Sequence, residues 1–585
     1  MASTTEAGAG AGAAFEDKFA ARKRDRTDDP AAQTVRKGNN NNSHNGNKFQ
    51  KKKKPKRERN TTEASSEDVL AKDIKNLYLS RNPDLLQQQQ EEGDGDGEGS
   101  ATGLPAPDFD SLPAEGSEIE VEVVDISSTS DGLAFVPGDT SRIYTVPFTV
   151  PGDLVRVKVF RHLRAEGYSV ADFVSVVRPS PQRDDSRVKC RYFGACGGCQ
   201  FQMLGYGDQL ALKRRVVEKA FRNFADLPPE LVPAVADTIG SPLQYGYRTK
   251  LTPHFDGPPG FNAHRKRARR DKSYERPGFD RCPEVGFMVK GKRQTMDIEE
   301  CPIGTEVLNI GMTRERERMK EEYTKYKAGS TILLRESTTR YPKDKAPAPG
   351  EQAPSTVRSE TEDGESVDVK YYETNHKNIT TEYIGNYEFT NPAGSFFQNN
   401  NSILPRFTDY VRDHILPAQD PSSPIPRPKY LIDAYSGSGL FTITLSTLFE
   451  DSVGIDIAAD SIRSAGDNAR RNGLEGRCRF IAADAKELFK SVTYDPDETV
   501  VVLDPPRKGC DGDFLRQLRE FGPRRVLYVS CNVHTQARDV GYLVRGDGGG
   551  AGARYEIESL VGFDFFPQTG HVEGVAILNR AAESK

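Results

Sequence analysis

Hydrophobic and polar positions alternate with a short period in one part of the chain, and this predicts a β-barrel. Between Ile119 and residue 180, runs such as EIEVEVVDIS and DLVRVKVFRH alternate apolar and polar side chains, with Gly, Pro and Asp between the runs. The alternation is typical of half-buried strands, and several short strands in succession predict a small barrel of the oligonucleotide-binding (OB) type. A barrel with a purely structural role is the alternative.

A second pattern begins near residue 396, where continuous apolar runs recur at intervals that fit helices. The runs lie at 429–434, 452–456, 478–482, 499–503 and 525–530. Alternating buried strands and helices predict a parallel α/β sheet. The part between, residues 181–395, mixes strand-like and charged runs and predicts a central α+β domain. The predicted fold class is therefore a multidomain α/β protein.

Two segments have compositions that predict disorder. Residues 1–115 carry Ala/Gly runs, GNNNNSHNGN and QQQQEEGDGDGEG, and residues 342–368 are rich in Pro, Ser and Glu. Segments with so few apolar side chains do not bury enough surface to offset the entropy of ordering. The predicted domains are then 1–115, 116–180, 181–395 and 396–585. Within the first, KKKKPKR at 51–57 is either a nuclear import signal or RNA-binding tail, or simply a solvated basic tail.

The bulk composition constrains the compartment more than the partner. The chain has 81 Lys and Arg against 86 Asp and Glu, so net charge does not indicate nucleic acid. Eight cysteines are too few for a disulfide scaffold, and no apolar run reaches the roughly 18 residues of a membrane span. The N-terminus also lacks the features of a signal peptide. We therefore expect an intracellular protein, located in the nucleus, cytoplasm or mitochondrion. We further expect it to be a monomer without a membrane partner.

Three cysteines stand close together at the start of the central part. Cys190, Cys196 and Cys199 have the spacing C-x5-C-x2-C, and either Cys282 or Cys301 supplies a fourth thiol. Four cysteines suit an iron–sulfur cluster or zinc, and the spacing does not choose between them. Free core thiols are the alternative. Farther along, six basic residues between 265 and 272 predict an exposed loop that contacts phosphates or is merely solvated.

The first three strands of the α/β part end in groups that suit a nucleoside cofactor. DAYSGSG at 433–439 places two glycines at a strand-to-helix turn, where a ligand approaches the backbone closely. Asp456 ends the next strand and is predicted to bind ribose hydroxyls, and Asp484 after the third strand is placed to meet an adenine edge. This order of groups indicates S-adenosylmethionine. A Rossmann-like fold with another nucleotide is the alternative.

The later strands end in groups that suit chemistry. Asp504 begins a rigid Asp-Pro-Pro turn that resembles the turn of amino-group methyltransferases, but Arg507 stands where those enzymes have an aromatic residue. Cys531 ends the fifth strand at the ligand edge, whereas the competing Cys510 starts a helix-like stretch. A nucleophilic thiol needs a lowered pKa, which Arg507 or Lys508 is expected to provide. TGHVE at 569–573 brings His571 and Glu573 toward the same crevice.

Five motifs together resemble the tRNA (uracil-5-)-methyltransferase family. They are SFFQ at 395–398, DAYSGSG, LDPPRKG, YVSCN and TGHVE, and the resemblance covers residues 117–585. It implies an N-terminal TRAM barrel, a central domain and a Rossmann-like methyltransferase domain that modifies uridine 54 of tRNA. By motif, it implies S-adenosylmethionine contacts and two catalytic roles: Gln398, Tyr435, Asp456 and Asp504 bind the cofactor, Cys531 is the nucleophile and Glu573 the proton acceptor. Asp456 replaces the glutamate usual in the bacterial pattern.

The implied roles fit the chemistry of uracil, whose carbon 5 is a poor nucleophile. A thiolate that adds to carbon 6 turns the ring into an enolate, so that carbon 5 can attack a methyl group. A base must then remove the proton from carbon 5 before the cysteine leaves. The target base has to leave its stack to be reached.

The resemblance also bears on the cysteines and on the RNA. Relatives that act on ribosomal RNA hold a [4Fe-4S] cluster, and the matching positions here are Cys190, Cys196, Cys199 and Cys301. Many tRNA-acting members lack this set, so the cysteines leave the substrate open. The rival functions are ribosomal-RNA uracil-5 methylation, RNA cytosine-5 methylation, and non-catalytic RNA binding or folding. Cytosine methylation needs another cysteine where Arg507 stands, and the intact Cys531 and Glu573 favour an enzyme.

Overall fold

The computed structural model describes nine stretches of the chain. They are residues 62–82, 111–164, 166–348, 355–361, 363–417, 427–483, 489, 492–546 and 552–582. Every described residue belongs to one compact unit, Thr61–Lys585. In this described part, no helix is both long and apolar enough to cross a membrane.

Helix α1 (Ser66–Arg81) corrects the prediction that residues 1–115 are disordered throughout. The side chain of Ser65 caps the helix by accepting a hydrogen bond from the backbone N–H of Asp68. Val69 and Ile74 are almost fully buried and pack on different neighbours, Val69 against the helix Tyr206–Phe224 and the C-terminal part and Ile74 against the barrel. The run KKKKPKR at 51–57 lies outside the described residues.

Five strands close into the predicted barrel. They are β1 (Glu118–Ile126), β2 (Gly132–Val136), β3 (Asp139–Val146), β4 (Leu154–Leu163) and β5 (Tyr168–Arg178), in the order β1-β2-β3-β5-β4. The alternation seen in the sequence puts Val121, Val123, Val155 and Val157 inside. Ile74 and Tyr78 of α1 pack on the outside of this barrel with Leu133 and Phe135.

The central part combines three helices with small antiparallel sheets. Its elements are α2 (Tyr206–Phe224), β6 (Lys250–Leu251), β7 (His254–Phe255), α3 (Phe261–Arg270), β8 (Gly286–Met288), β9 (Thr295–Asp297), α4 (Glu306–Glu322), β10 (Ser330–Thr331), β11 (Leu334–Pro342), β12 (Val357–Glu360), β13 (Ser366–Glu373), β14 (Ile379–Ile384) and β15 (Tyr387–Pro392). The sheet orders are β10-β7-β8-β9, β12-β13-β11-β6 and β14-β15.

Two predictions for this part were wrong. The basic run after Gly260 is the exposed helix α3 rather than a loop. The segment predicted as a disordered insertion instead contributes β12 and the start of β13. β12 pairs with β13, which pairs in turn with β11. Residues 349–354 and 362 of that segment lie outside the described residues.

The C-terminal part is built on a seven-stranded sheet. Its elements are α5 (Leu404–His414), β16 (Tyr430–Ala434), α6 (Leu440–Leu445), β17 (Asp451–Asp456), α7 (Ala459–Arg471), β18 (Cys478–Ala482), β19 (Thr499–Leu503), α8 (Gly512–Phe521), β20 (Arg525–Ser530), α9 (Val533–Arg545), β21 (Tyr555–Phe563) and β22 (Glu573–Arg580). The order is β18-β17-β16-β19-β20-β22-β21, with β18 to β20 parallel and β22 antiparallel to both neighbours.

This order fixes where a ligand can bind. The chain leaves β16 toward β17 on one side and returns to β19 on the other, so the loops after β16 and β19 diverge and leave a crevice at the carboxyl edge. Helix α2 of the central part packs against α9 so closely that a Cβ on Gly541 would lie 1.9 Å from the carbonyl oxygen of Ala225. The central part is therefore seated directly on the layer that flanks the crevice.

Candidate active site

Three reactive side chains meet at the carboxyl edge of the sheet. Asp504 follows β19, Cys531 follows β20 and Glu573 is the first residue of β22. Because β20 and β22 pair with Ser530 opposite Gly574, Cys531 and Glu573 adjoin this last pair of residues on neighbouring strands. The edge thus brings together a thiol and two carboxyl groups from three separate strand ends.

The surroundings of Cys531 contradict the expected lowered pKa. Burial, and after it the nearby Glu573 and Asp504, raise the pKa of the Cys531 thiol to about 12. Arg507 hydrogen-bonds the thiol and acts in the opposite direction, as the sequence suggested, but burial outweighs it. The thiol of the free protein is therefore protonated at neutral pH.

The carboxyl groups have pKa values near neutrality. Burial raises the pKa of Glu573 to about 8, with Asp504 adding to the shift and Arg507 opposing it. Burial likewise raises the pKa of Asp504 to about 7. A carboxyl group with such a pKa is well matched to proton transfer at neutral pH. His571 Nε2 lies 3.9 Å from Glu573 Oε2, and burial lowers the pKa of His571 to about 3, so its ring is neutral.

The turn after β16 forms the other half of the crevice. Gly437 and Gly439 adopt positive φ angles of 54° and 89°, which the turn requires. Asp456 at the end of β17 accepts a hydrogen bond from the Gly437 backbone N–H at 3.1 Å, so its carboxylate is fixed beside this turn. Tyr435, also at positive φ, contacts Phe514 edge-on with ring centroids 5.5 Å apart.

A buried acid in the same motif had no role assigned from the sequence. Asp433 accepts hydrogen bonds from the Thr442 backbone N–H at 2.9 Å and from its hydroxyl at 2.6 Å. These contacts tie β16 to α6 and so set the shape of the glycine turn. Burial raises the pKa of Asp433 to about 7. An acid two residues before a glycine turn was the available signal.

The remaining predicted cofactor residues are placed less directly. Gln398 is half-buried, and its neighbour Phe397 packs in the same apolar cluster as Leu440 and Phe441 just after the glycine turn. Asp484, predicted to meet an adenine edge, lies outside the described residues.

The segment that carries His571 and Glu573 is held by residues that sequence reasoning missed. Gln568, at a positive φ of 71°, accepts hydrogen bonds at its backbone oxygen from Gln200 N–H at 2.9 Å and Phe201 N–H at 3.0 Å. Its own N–H and side-chain oxygen pair with the amide of Gln209 at 3.0 and 3.1 Å. The sequence did not indicate this contact, because Gln209 and Gln568 lie 359 residues apart.

Four of the five cysteines of the central part line one cavity. Cys190, Cys196, Cys199 and Cys301 surround a space of about 410 Å³, and Cys282 instead packs near Phe255. Burial and the neighbouring thiols together raise the pKa of Cys199 to about 12 and that of Cys301 to about 11. Within the described residues, however, no group of three or more Cys, His, Asp or Glu side chains has the geometry of a metal site.

Known proteins are similar to most of this chain. Residues 379–581 match the model of the family described as tRNA (Uracil-5-)-methyltransferase. A tRNA (uracil(54)-C(5))-methyltransferase of Schizosaccharomyces pombe is 45% identical over 463 residues, which are 79% of this chain and 78% of the relative. The enzyme of the same name from Saccharomyces cerevisiae is 41% identical over 495 residues, 79% of this chain and 73% of that relative.

A solved structure shares the fold. The crystal structure of Pyrococcus abyssi tRNA (uracil-54, C5)-methyltransferase in complex with S-adenosyl-L-homocysteine superimposes with a TM-score of 0.52 at 22% identity. The match covers 79% of this chain and all of that chain. The mixed α/β architecture with a closed barrel is therefore one that a solved protein also adopts.

Proposed function

The chain belongs to the tRNA (uracil-5-)-methyltransferase family, and from this premise we propose that it transfers a methyl group from S-adenosylmethionine to carbon 5 of uridine 54 in the T-loop of tRNA. The observation that carries the proposal is the meeting of Cys531, Glu573, Asp504 and Arg507 at one sheet edge. The names of the two yeast relatives support tRNA over ribosomal RNA. The seven-stranded sheet is then a Rossmann-like methyltransferase domain, and the barrel a TRAM domain.

The crevice suits S-adenosylmethionine, which supplies a methyl group activated on a sulfonium when it is bound. Gln398, Tyr435, Asp456 and Asp504 would hold it. Asp456 beside the glycine turn matches a ribose diol, because a carboxylate accepts hydrogen bonds from both hydroxyls. Ser436 Oγ in the same turn is buried without a hydrogen-bond partner among the described residues, which leaves a polar atom for a ligand to satisfy.

Cys531 and Glu573 would act on the uracil in sequence. When the substrate is bound, the Cys531 thiol gives up its proton to water, and the resulting thiolate adds to carbon 6. The negative charge of the thiolate passes to the ring as an enolate that makes carbon 5 nucleophilic. After methylation, Glu573 takes the proton from carbon 5, and the electron pair of that C–H bond expels the cysteine as a thiolate. Arg507, hydrogen-bonded to the thiol, stabilises the thiolate at both ends of this sequence.

The first test concerns the substrate. The purified protein, given S-adenosylmethionine, is expected to form 5-methyluridine in a tRNA transcript, because the base pocket and T-loop recognition follow the family. Nucleoside mass spectrometry measures the product, and a transcript with uridine 54 replaced by cytidine is the control. Methylation of ribosomal RNA fragments with the tRNA left unmodified would instead assign the chain to the rival substrate.

The second test concerns the nucleophile. Cys531→Ala is expected to lower methyl transfer by about 10³-fold or more, while tRNA binding in a gel-shift assay persists. Cys510→Ala is the matched control, since Cys510 is the competing cysteine. Its thiol is buried and donates a hydrogen bond to the Tyr528 hydroxyl at 3.7 Å. If Cys531→Ala keeps full activity, the covalent mechanism is wrong.

The third test concerns the base. Glu573→Gln is expected to methylate RNA and then trap it covalently, because the amide does not accept the carbon 5 proton. Release should slow by about 10²–10⁴-fold. Denaturing gels of protein with labelled tRNA measure the adduct, and Glu573→Asp should restore part of the release. A Glu573→Gln protein that turns over without trapping RNA would place the base elsewhere.

We also infer that Cys190, Cys196, Cys199 and Cys301 hold a metal centre, with a [4Fe-4S] cluster as the first candidate. An all-thiol donor set around one cavity suits iron–sulfur or zinc, and buried thiols with raised pKa values are neutral until a metal displaces their protons. Such a centre would brace the segment before Gln200 and Phe201, which hold Gln568.

Anaerobic purification is expected to yield a brown protein with about four irons per chain. Cys199→Ser should lose the iron, whereas Cys282→Ser should keep it, since Cys282 lies outside the cavity. Iron, sulfide and zinc analyses measure the outcome. Stoichiometric zinc without iron would exclude the cluster, and a protein free of both metals would exclude the metal centre.

A further inference from the structure

The cavity that contains Cys531 extends well beyond the catalytic groups. Its volume is about 340 Å³. Besides Cys531 and Arg507, its walls include Ser66 of α1, Ser130 of the β1–β2 turn and Thr569 of the segment that carries His571 and Glu573, the active-site segment. Small-molecule sites occupy about 300–1,000 Å³, so this space exceeds what one pyrimidine ring requires. A helix and a barrel turn thus face the nucleophile across a common space.

Helix α1 is firmly attached on both sides of this space. The buried carboxylate of Asp73 accepts a hydrogen bond from the Ser128 backbone N–H at 2.6 Å, which fixes the barrel turn. Lys72 donates to the Asn223 carbonyl at 2.9 Å and lies 3.8 Å from the centroid of the Phe224 ring, which fixes α2. The middle of α1 is therefore fixed to both the barrel turn and α2.

The β1–β2 turn, here the barrel turn, packs directly against the active-site segment. A Cβ on Gly570 would lie 1.7 Å from the hydroxyl oxygen of Ser130, so only glycine permits this approach. Lys290 forms an ion pair with Asp131 at 2.9 Å at the end of the same turn. The turn is thus held between α1 and the segment that carries His571 and Glu573.

The chemistry of this outer wall suits part of a nucleotide. Ser66, Ser128, Thr129, Ser130 and Thr569 offer short hydroxyl side chains, and Arg507 offers a positive charge. His534, 8% exposed, also lines the cavity, and its Nδ1 has no hydrogen-bond partner among the described residues. Hydroxyls, a neutral imidazole and one guanidinium match the contacts that proteins make to RNA sugars and phosphates.

We propose that the outer part of this cavity, formed by the first turn of α1 and the β1–β2 turn, binds the ribose-phosphate of a nucleotide next to the target uracil. This inference rests on the proposed function, because it requires the base at Cys531 to come from an RNA strand. The neighbouring nucleotide of a flipped base stays connected through its backbone, so it must pass the mouth of the same cavity. Helix α1 is thereby a substrate-binding element.

A charge placed on the wall tests the proposal. Ser66→Glu puts a carboxylate at the cavity, where it repels phosphate, yet an acid in the first turn suits the helix dipole and preserves α1. The KM for tRNA is expected to rise about tenfold with kcat unchanged. Ser80→Glu, the same change on the exposed last turn, should keep the wild-type KM.

A second variant, on the barrel turn, makes the test independent of whether α1 folds. Thr129→Glu in the barrel turn is expected to raise KM in the same way, and thermal midpoints near that of the wild type verify that each variant is folded. Wild-type KM values in both Ser66→Glu and Thr129→Glu, beside active wild-type enzyme, would overturn the subsite. A wild-type protein that methylates no RNA would instead contradict the proposed function.

Discussion

The catalytic edge depends on one buried ion pair between the central part and the last strands. Lys213 of α2 is completely buried and donates to the carboxylate of Asp564 and, at 3.0 Å, to the carbonyl of Phe566. Removing either partner would leave an uncompensated buried charge, which costs several kcal/mol, of order 3–5. The pair thus fixes the start of the segment that ends in Glu573, and the Gln209–Gln568 contacts fix its middle.

The same close packing determines the protonation of the reactive groups. Desolvation raises the pKa of Asp504, Cys531 and Glu573, although a cavity of about 340 Å³ adjoins the thiol. The Cys531 thiol therefore stays protonated until a bound ligand changes its surroundings. Arg507 is the cation that already hydrogen-bonds this thiol.

The sequence predicted those features that depend on local pattern. Parallel strands that are buried on both faces have continuous apolar sequences. The sequence therefore predicted β16, β17, β19 and β20 and the groups at their ends. The direction of the Cys531 pKa was not, because burial arises from segments hundreds of residues apart. Helix α1 was not predicted for a similar reason. In the sequence, Asp73 and Lys72 look like solvated charges, because their partners Ser128 and Asn223 lie far away along the chain.

The position of α1 changes how the barrel should be understood. An appended RNA-binding module would touch the catalytic part through a linker and few contacts. Here the β1–β2 turn is bonded to Asp73 on one side and is in contact with Gly570 on the other, so barrel, helix and active-site segment form one wall. A displacement of the barrel would therefore move the residues beside Cys531. That physical continuity favours a barrel that takes part in substrate binding over one that serves only as a structural support.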